Sequence, residues 1–504
     1  MQKVPFRRAA ATAVCAVTMA ATTFIGGSAV AAPPQTPSTP IEFPAADGQL
    51  MSYVVNAKAA NRGQTKQASR AVQAAGGVTV QEWPEIGVVI AQSDRASFRA
   101  DVLKQGKSHV VSVGATRTIT VAEGTPAGID TPWQTAQQPQ LPQLRSKQLA
   151  NTDLLYGDAT FDGVTADPRE NEQWDKAQIK ANQAHQMTDG SRDVLVGVLD
   201  SGIDPVHPDL QANIDVTASV NCTDAGRPDT SPTGWFPTTS SHGTHVAGII
   251  GAPRNGIGIT GVAPNVRMAS VKVVNDAGSI YPEYAICGFM WAGMKGMDVT
   301  NNSYYVDPMQ FWCGDQPDQK AVLDAVEKAV AWSTKQGVVH AAAAGNASYD
   351  LANKTTDDVS PNDISGTHRQ INNDCKDIPT ELDGVVTVAS TDQAAKLSSF
   401  SNRGLNVIDV AAPGSRILST LPDNKYGLLS GTSMASPQVA GVLALMKSEH
   451  PGWTPSKMIA ALRSQAQDQS CKPSATPTGA ECVGPAANNS YYGEGIVDAL
   501  RAVR

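Results

Sequence analysis

Basic residues are not in excess in this chain. It has 39 Lys and Arg residues against 47 Asp and Glu residues, a formal net charge of −8. Because nucleic acids and acidic membrane surfaces attract basic proteins, neither is expected as the main partner. Aromatic residues make up 5% and charged residues 17% of the chain. The 41% of apolar residues suffices for a substantial core, and a length of 504 residues suggests about three segments.

Beyond the N-terminal leader, the sequence also lacks an apolar run long enough to span a bilayer. The leader has early basic residues, a short apolar run and then Ala29-Val30-Ala31. This pattern predicts a signal peptide over residues 1–32 and a secreted, extracellular protein. A membrane anchor is the alternative, but Gly26-Gly27 interrupts the apolar run. We therefore expect no membrane partner once the signal peptide is removed.

Cysteines are few, and their spacings match no compact zinc pattern. One lies in the leader and six remain, an even number that predicts disulfides in an exported chain. A short polar loop separates Cys471 from Cys482, which favours their pairing. For the other four, the hypothesis is Cys222 with Cys287 and Cys313 with Cys375.

A Pro/Thr-rich spacer up to about Ala46 precedes a small region, residues 47–121, with mixed periodicity. "MSYVVNAK" alternates like a strand, and "QTKQASRAVQAAG" indicates a helix ended by Gly76. "VTVQEWPEIGVVIAQS" indicates two strands, "DRASFRADVLKQG" an Asp-capped helix ended by Gly106, and "HVVSVGATRTITV" one or two strands. The order β-α-β-β-α-β predicts a ferredoxin-like α+β unit, with an unrelated small binding module as the alternative.

Residues 122–168, rich in Gln, Pro, Thr and Asp, have no sustained period and indicate a linker. Residues 169–504 then alternate helices with almost continuously apolar strands. The strand segments are "VLVGVLD", "VRMASVKVV", "MDVTNNS", "GVVHAAAAG", "GVVTVAS" and "NVIDVAAPG". They predict an α/β domain with a mostly parallel central sheet and helices on both faces. In such sheets the ligand crevice lies at the carboxyl ends of the strands.

Three stretches place reactive side chains where elements begin or end. "VLVGVLDSGIDPVHPDL" ends a strand on Asp200, "SSHGTHVAGIIG" starts a helix with His242 and His245, and "GTSMASPQVAG" starts another with Ser433. A serine needs a base to take its proton, and a carboxylate can hold that base in one tautomer. Taken singly, Asp200 suits a turn and His-x-x-His suits a structural or zinc role, although no third ligand has zinc spacing.

In this order, "DSGID", "HGTHVAG" and "GTSMASP" resemble the subtilisin-like serine proteases, or subtilases, from about Gln173 to Val503. The resemblance implies a three-layer subtilisin-like domain and a serine endopeptidase that works through an acyl-enzyme. By matching motif positions, Asp200 would orient His242, His242 would be general base and then acid, and Ser433 would be the nucleophile. His245 would be structural.

The resemblance also assigns an oxyanion donor, Asn346, at the end of the strand in "GVVHAAAAGNASYD", beside the backbone N–H of Ser433. The alternative for Asn346 is a glycosylation sequon, Asn-Ala-Ser. The small residues before Ser433 would let a peptide approach. Pro437 lies in the first turns of the helix, where a missing N–H is expected to cost little.

Substrate contacts follow from the same resemblance. "DVTNNSYYV" would put Ser303 and Tyr304 beside an extended peptide, and Ala343-Ala344-Gly345 would form a wall of an apolar pocket. Tyr305 departs from the family pattern, which has small residues there. It would fill an outer apolar subsite or belong to the core.

Calcium is the one metal that the resemblance suggests. Asp209 in "HPDL" and Asn255 in "PRNGIGITG" match a family calcium loop, with oxygen ligands of the kind that calcium prefers. Ordinary loop polarity is the alternative. No organic cofactor is implied.

The region 47–121 resembles the inhibitory pro-domain of secreted subtilases. We therefore expect a monomeric zymogen that acts on protein or peptide substrates and has its own pro-domain as intramolecular inhibitor. Trp174 to Ala181 should belong to the first helix of the mature domain. "YYGEGIVDALRAV" resembles the last strand, turn and helix, so no further module is expected.

The sequence leaves three rival functions open. One is an inactive subtilase-like binding protein, although every catalytic position has a competent residue type. A second is an esterase, but the sequence around Ser433 lacks the Gly-x-Ser-x-Gly context of the usual esterase fold. The third is a selective processing protease rather than a broad scavenger.

Overall fold

The computed structural model describes residues 36–43, 45–133, 166–471 and 481–504. Within these ranges, all residues belong to one compact unit, Thr36–Arg504. The predicted signal peptide, 1–32, and most of the predicted linker, 122–168, lie outside the described residues.

The first part of the described chain is an antiparallel sheet with two helices. Its elements are β1 (Met51–Ala57), α1 (Arg62–Ala74), β2 (Val78–Trp83), β3 (Val88–Ser93), α2 (Phe98–Gln105) and β4 (Val110–Ala115). The sheet order is β2-β3-β1-β4, with antiparallel neighbours throughout. The predicted β-α-β-β-α-β order is confirmed. The predicted Asp cap of α2 is wrong, because the helix begins at Phe98 after Ser97, whose side chain makes no capping hydrogen bond.

The second part contains a large sheet and its flanking helices. The first half comprises α3 (Trp174–Gln178), α4 (Ala181–Ala184), β5 (Leu195–Asp200), β6 (Val220–Asp224), β7 (Arg227–Asp229), α5 (His242–Gly251), β8 (Arg267–Lys272), α6 (Pro282–Met294), β9 (Val299–Asn302) and β10 (Trp312–Cys313). The middle comprises α7 (Pro317–Lys335), β11 (Val339–Ala343), β12 (Thr356–Asp357), β13 (Arg369–Gln370), β14 (Cys375–Lys376) and β15 (Val385–Thr391). The last elements are β16 (Val410–Pro413), β17 (Ile417–Leu421), β18 (Lys425–Leu429), α8 (Thr432–Glu449), α9 (Pro455–Ser464) and α10 (Ala499–Ala502).

The large sheet has the order β16-β15-β11-β9-β5-β8-β6-β7, and its neighbours are parallel except for β6 and β7. Alternate residues of a strand point to opposite faces. In β5, Val196 and Val198 join the core with α5 and α8, whereas Leu195 and Leu199 join the core with α6 and α7. Since both faces are covered, the strands are apolar throughout, and the predicted three-layer α/β architecture is confirmed.

Two terminal elements differ from the sequence prediction. The expected first helix is divided into α3 and α4 at Lys180, whose φ of 59° lies in the left-handed region. The expected last strand is reduced to isolated bridges of Ile496 with Ala411 and Gln467, before α10. At both places the contacts are with residues distant in sequence, since Lys180 pairs with Asp498 and Ile496 bridges to Ala411 and Gln467.

The antiparallel unit packs on α7 of the larger part. Asn56 on β1 donates from Nδ2 to the carbonyl oxygen of Ala321 at 2.8 Å and accepts from Lys328 Nζ at 2.8 Å. On β4, a Cβ added to Gly114 would lie 2.3 Å from the carbonyl oxygen of Asp318. A glycine at this position therefore lets β4 lie directly on the helix.

The predicted N-terminal spacer is bound to the larger part over residues 36–43. The Ser38 backbone N–H donates to Asp315 Oδ2 at 2.7 Å. The Thr39 N–H donates to the Gln370 carbonyl oxygen at 2.9 Å, and the Gln370 N–H donates to Thr39 Oγ1 at 2.9 Å. This segment thus adds a short extended stretch beside β13.

The three predicted disulfides are present. Cys222 of β6 is bonded to Cys287 of α6, and Cys313 of β10 is bonded to Cys375 of the paired β14. The third joins Cys471 to Cys482. Among the described residues, no helix combines the length and the apolar character needed to cross a membrane.

Candidate active site

Asp200 and His242 meet at the carboxyl edge of the large sheet. β5 ends at Asp200 and α5 begins at His242, with His242 Nδ1 2.9 Å from both carboxylate oxygens of Asp200. The Ser201 N–H donates to Asp200 Oδ1 at 2.7 Å. A Cβ added to Gly243 would lie 2.4 Å from the Gly202 carbonyl oxygen, so a glycine at this position lets α5 start against the end of β5.

The hydrogen bond with Asp200 determines the state of the His242 ring. The carboxylate accepts only, so Nδ1 donates and Nε2 is left as the basic nitrogen. Burial lowers the pKa of His242, whereas the charge and hydrogen bond of Asp200 raise it, and the net pKa lies above the ordinary 6.5. Asp200 is 2% exposed, while about a third of the His242 side chain remains accessible. The ring is thus both oriented and reachable.

Ser433 lies in the first turn of α8. Its Oγ donates to the Ser303 carbonyl oxygen at 3.3 Å, and within the described part of the chain it forms no hydrogen bond with His242. Catalytic hydrogen bonds are often formed only when substrate binds. Rotation of the hydroxyl away from Ser303 would make its proton available to the imidazole.

Pro437 couples the serine to the neighbouring strand. In an α-helix the N–H of residue 437 would bond to the carbonyl oxygen of Ser433, and proline has no such donor. Instead, Ser303 Oγ donates to that oxygen at 2.9 Å, and Asn301 Nδ2 donates to Ser303 Oγ at 2.8 Å. The missing helical bond is therefore replaced by one that holds the candidate substrate edge against α8.

Asn346 is held with its amide nitrogen free. The Thr432 N–H and hydroxyl donate to Asn346 Oδ1 at 2.8 and 2.9 Å, and Nδ2 has no acceptor among the described residues. A Cβ added to Gly431 would lie 3.5 Å from Asn346 Nδ2 and 3.5 Å from the Ser433 backbone nitrogen. The two predicted oxyanion donors therefore border one open space beside Gly431.

The other predicted substrate residues surround this group. Tyr304 is half-buried, and its hydroxyl donates to Asn302 Oδ1 at 3.1 Å. Gly345 has a φ of 100°, and an added Cβ would lie 2.4 Å from Asn402 Nδ2, so a glycine is required. Its N–H donates to Thr432 Oγ1 at 3.1 Å, next to the buried Ala343 and Ala344.

Tyr305 is half-buried rather than a core residue. Its hydroxyl accepts a hydrogen bond from Asn362 Nδ2 at 2.9 Å. Burial raises the pKa of Tyr305 well above its usual range. The ring thus has a polar partner at its tip, which an entirely apolar subsite would not provide.

His245 lies apart from the Asp200 carboxylate. It is buried, and its Nε2 lies 3.1 Å from the carbonyl oxygens of Ile417 and Gly427. Burial lowers its pKa to about 4, so the neutral ring donates to the carbonyls that join α5 to the β17–β18 hairpin. These contacts agree with the structural role that the motif implies.

The predicted calcium residues lie on neighbouring loops. Asp209 is fully buried, and its Oδ2 accepts from the Ile259 N–H at 2.9 Å and the Tyr426 hydroxyl at 3.0 Å. Its Oδ1 has no hydrogen-bond donor in the described ranges. Asn255 is exposed and donates from Nδ2 to the Pro208 carbonyl oxygen at 3.3 Å.

The electrostatics of Asp209 fit a cation. Burial raises its pKa to about 6, and the nearby Asp167 carboxylate adds to the rise. A cation beside the unpartnered oxygen would offset both effects. In the described residues, the group of side chains with metal-ligand spacing is Cys313, Asp315 and Cys375, whose sulfurs are joined in a disulfide and are not free ligands.

Thr432 is the residue of this site that sequence reasoning missed. It lies inside the quoted "GTSMASP" motif, and its backbone and hydroxyl orient Asn346 and Gly345. A hydroxyl directly before a candidate nucleophile was the available signal. Its partners lie more than 80 positions away, so the sequence alone did not identify them.

An acidic residue, a histidine and a serine at a helix start, gathered at the carboxyl edge of a parallel sheet, define the class of serine hydrolases. Residues 191–495 match the family model described as the Subtilase family. The chain therefore belongs to the subtilase family and is a subtilisin-like serine endopeptidase. Such hydrolysis consumes only water and needs no organic cofactor.

Relatives agree with this assignment, and a solved structure agrees with the fold. The chain is 35% identical over 328 residues to subtilisin E of Bacillus subtilis, covering 65% of this chain and 70% of the relative. It is likewise 35% identical to a subtilisin of Bacillus pumilus, covering 65% and 97%. The crystal structure of the epidermin leader peptide processing serine protease (EpiP) of Staphylococcus aureus superposes with a TM-score of 0.63 at 23% identity, covering 90% of this chain and 98% of that one. At this identity, the last match supports the fold alone.

Proposed function

We propose that this subtilase is made as an exported, inactive precursor and cleaves peptide bonds with Asp200, His242, Ser433 and Asn346. The observation that carries the proposal is the 2.9 Å bond between Asp200 and His242 Nδ1, at the sheet edge where α8 presents Ser433. Ser303, Tyr304 and Gly345 are the proposed peptide contacts.

In the first half-reaction, His242 Nε2 takes the proton of the Ser433 hydroxyl while Oγ bonds to the carbonyl carbon of the peptide. Negative charge develops on the carbonyl oxygen, and Asn346 Nδ2, the Ser433 N–H and the start of α8 stabilise it. His242 then gives its proton to the leaving amine as the C–N bond breaks. Water, deprotonated by the same nitrogen, releases the acid from the acyl-enzyme.

The proposed domains are a signal peptide (1–32), a pro-domain (47–121), a linker (122–168) that is cut, and a catalytic domain (169–504). The packing of β1 and β4 on α7 supports intramolecular inhibition by the pro-domain, since Asn56 and Gly114 fit that helix closely. The leader pattern and three disulfides support export to an oxidising compartment, where the enzyme acts as a monomer.

We also assign a structural calcium ion to Asp209, Asn255 and the carbonyl oxygens of their loop. Among the described residues, no group donates a hydrogen bond to the buried Oδ1 of Asp209, which supports this assignment. The ion would supply positive charge that stabilises the loop and has no part in bond breaking.

The test compares the chain from Ala32 onward as wild type and as Ser433→Ala. The wild type should release a fragment of pro-domain size and then react with a fluorophosphonate, whereas Ser433→Ala should do neither. N-terminal sequencing of the larger piece gives the boundary. Equal cutting of both forms, together with an unlabelled wild type, would contradict the proposal.

A selective processing protease remains the second candidate. The observation in its favour is that Arg117 of the proposed pro-domain is buried against the Glu283 carboxylate and the Tyr281 ring of the proposed catalytic domain.

A further inference from the structure

Arg117, just after β4, is a charged residue with almost no contact with solvent. It is 1% exposed. Its Nη2 lies 2.5 Å from Glu283 Oε1 and 3.2 Å from the Tyr284 hydroxyl, and its Cζ lies 3.8 Å from the centre of the Tyr281 ring. Glu123 binds Nη1 at 2.9 Å. The guanidinium is thus enclosed by carboxylates and aromatic rings.

Three of these partners belong to the proposed catalytic domain. We call Tyr281, Glu283 and Tyr284 the acidic aromatic pocket. Glu283 lies in the first turn of α6, where the positive end of the helix dipole favours a negative charge. Glu283 is fully buried, and its Oε2 has no hydrogen-bond donor among the described residues. Among the described residues, Arg117 is the ion-pair partner of Glu283, so its removal would leave this carboxylate without a counter-ion from that part of the chain.

The pocket is tied to the same sheet edge as the candidate catalytic residues. The N–H groups of Val273 and Val274, which follow β8, donate to the Asp200 carbonyl oxygen at 2.9 and 3.3 Å. Further along, the Ile280 N–H donates to Asp307 Oδ2 at 2.5 Å, and the Asp307 N–H donates to the Ile280 carbonyl oxygen at 2.8 Å. The segment that enters α6 therefore lies beside the segment that follows Ser303.

The distance from Ser303 to Asp307, which holds the segment before α6, is short enough for a bound peptide to span. Asp307 lies four residues after Ser303, and an extended chain of four residues spans at most about 14 Å. A peptide that lies along Ser303 and Tyr304 would bring a side chain several residues from the cleaved bond to the acidic aromatic pocket.

We infer that the acidic aromatic pocket of the mature enzyme binds the arginine side chain of a peptide substrate, and that Arg117 occupies it in the precursor. A carboxylate opposite a planar guanidinium gives a charge-assisted hydrogen bond, and the Tyr281 face adds a cation–π contact. Lysine would lose the planar stacking and bind less well. Glu283 is then a specificity-determining residue. This inference rests on the proposed function, since it needs a cleft that the pro-domain leaves.

The experiment uses the mature wild-type enzyme and peptides that differ only in one residue. Arginine is moved through six positions on each side of the cleaved bond, and each peptide has a partner with citrulline, its uncharged isostere. At one position we expect kcat/KM for arginine to exceed that for citrulline by about ten-fold. Glu283→Gln should bring this ratio close to one, because kcat/KM for the arginine peptide should fall much more than kcat/KM for the citrulline peptide.

A second variant keeps the inference testable if Glu283→Gln does not fold. Tyr281→Leu keeps the carboxylate and removes the ring, so it should lower the arginine preference by a smaller factor. The inference is overturned if an active wild type shows no arginine preference at any position. It is also overturned if the preference survives in both variants. Failure of the proposed function differs from both, because the citrulline peptides would then also remain uncut.

Discussion

At the scale of single residues, hydrogen bonds within the site determine which atoms of His242 and Asn346 accept a proton or donate a hydrogen bond. Asp200 accepts from His242, which leaves Nε2 basic, and Thr432 occupies the oxygen of Asn346, which leaves Nδ2 as a donor. In both side chains, a hydrogen bond to one polar atom therefore determines the role that is proposed for the other polar atom.

Removing the amide of Asn346 should slow the chemical step. Asn346→Leu keeps the branched shape but removes the donor beside the developing oxyanion, so kcat on a peptide amide should fall about 10²–10³-fold with KM little changed. The matched control is Ser348→Ala, which destroys the Asn-Ala-Ser sequon and keeps the amide. Both variants lose the sequon and only Asn346→Leu loses the amide, so an equal loss of activity in the two variants would favour the glycosylation reading.

The raised pKa of His242 predicts the acid limb of activity. Because the neutral ring is needed, kcat/KM should fall as pH drops through a pKa above 6.5. By linkage, the raised pKa also stabilises the folded state below pH 6.5 and loses this effect as pH rises through the folded pKa.

The cause of the shift can be tested by imidazole NMR titration in a Ser433→Ala background. Adding Asp200→Asn removes the charge but keeps the burial, so the His242 pKa should fall. An unchanged pKa would mean that Asp200 is not its source.

The sequence predicted Asp200, His242, Ser433 and Asn346 as candidates because each lies in a contiguous motif at the end or start of an element. It did not identify Thr432 as the partner of Asn346, since 86 positions separate them. Nor did it pair Arg117 with Glu283, which are 166 positions apart. Such pairs depend on how complete elements pack, which no local pattern contains.

At the scale of elements, the strands were predictable because helices cover both faces of the sheet, and continuous apolar runs are the result. The cap of α2 and the division between α3 and α4 were not predictable. Asp94 was a plausible cap by residue type, yet the helix begins four positions later. Lys180 adopts a left-handed conformation that its residue type does not suggest.

The disulfides should differ in their contribution to stability. Cys222 and Cys287 are 65 positions apart, whereas Cys471 and Cys482 are 11 apart. Loop entropy assigns about 4 kcal/mol to the longer loop and about 3 kcal/mol to the shorter one. In the Ser433→Ala background, replacing each pair by alanines and measuring urea unfolding should give the larger loss for Cys222–Cys287. The reverse order would show that native contacts, rather than loop length, dominate.

The proposed calcium loop, with Asp209 and Asn255, predicts how the charge of Asp209 changes stability with and without calcium. A folded pKa of about 6 against an ordinary 3.8 means that ionised Asp209 costs about 3 kcal/mol in a calcium-free protein, and stability falls as pH rises through this range. With a chelator at pH 8, Asp209→Asn should therefore unfold at a higher temperature than the parent Ser433→Ala protein. Added calcium should raise the melting temperature of the parent alone. An equal calcium effect in both would place the ion elsewhere.

At the scale of the whole molecule, the antiparallel unit packs so closely on α7 that a single larger side chain at the interface should weaken the contact. Gly114→Val would place its Cβ against the Asp318 carbonyl oxygen, which is backbone and cannot rotate away. The precursor should then become active sooner, measured as peptide cleavage per fluorophosphonate-titrated site. Val111→Ala, on the exposed face of the same strand, is the control and should keep the wild-type delay. Equal delays in both variants would contradict inhibition through this surface.

The bound segment 36–43 and the packing of β1 and β4 on α7 together affect how cutting leads to activity. A cut in the proposed linker, residues 122–168, would break one covalent link but none of these contacts, so the two pieces would remain associated at first. Before the cut, the high effective concentration of a tethered domain keeps it in place, and afterwards its binding depends on the bulk concentration. Under the proposed processing, dilution would then become the trigger: a processed enzyme would stay inhibited where it is concentrated and become active as it disperses.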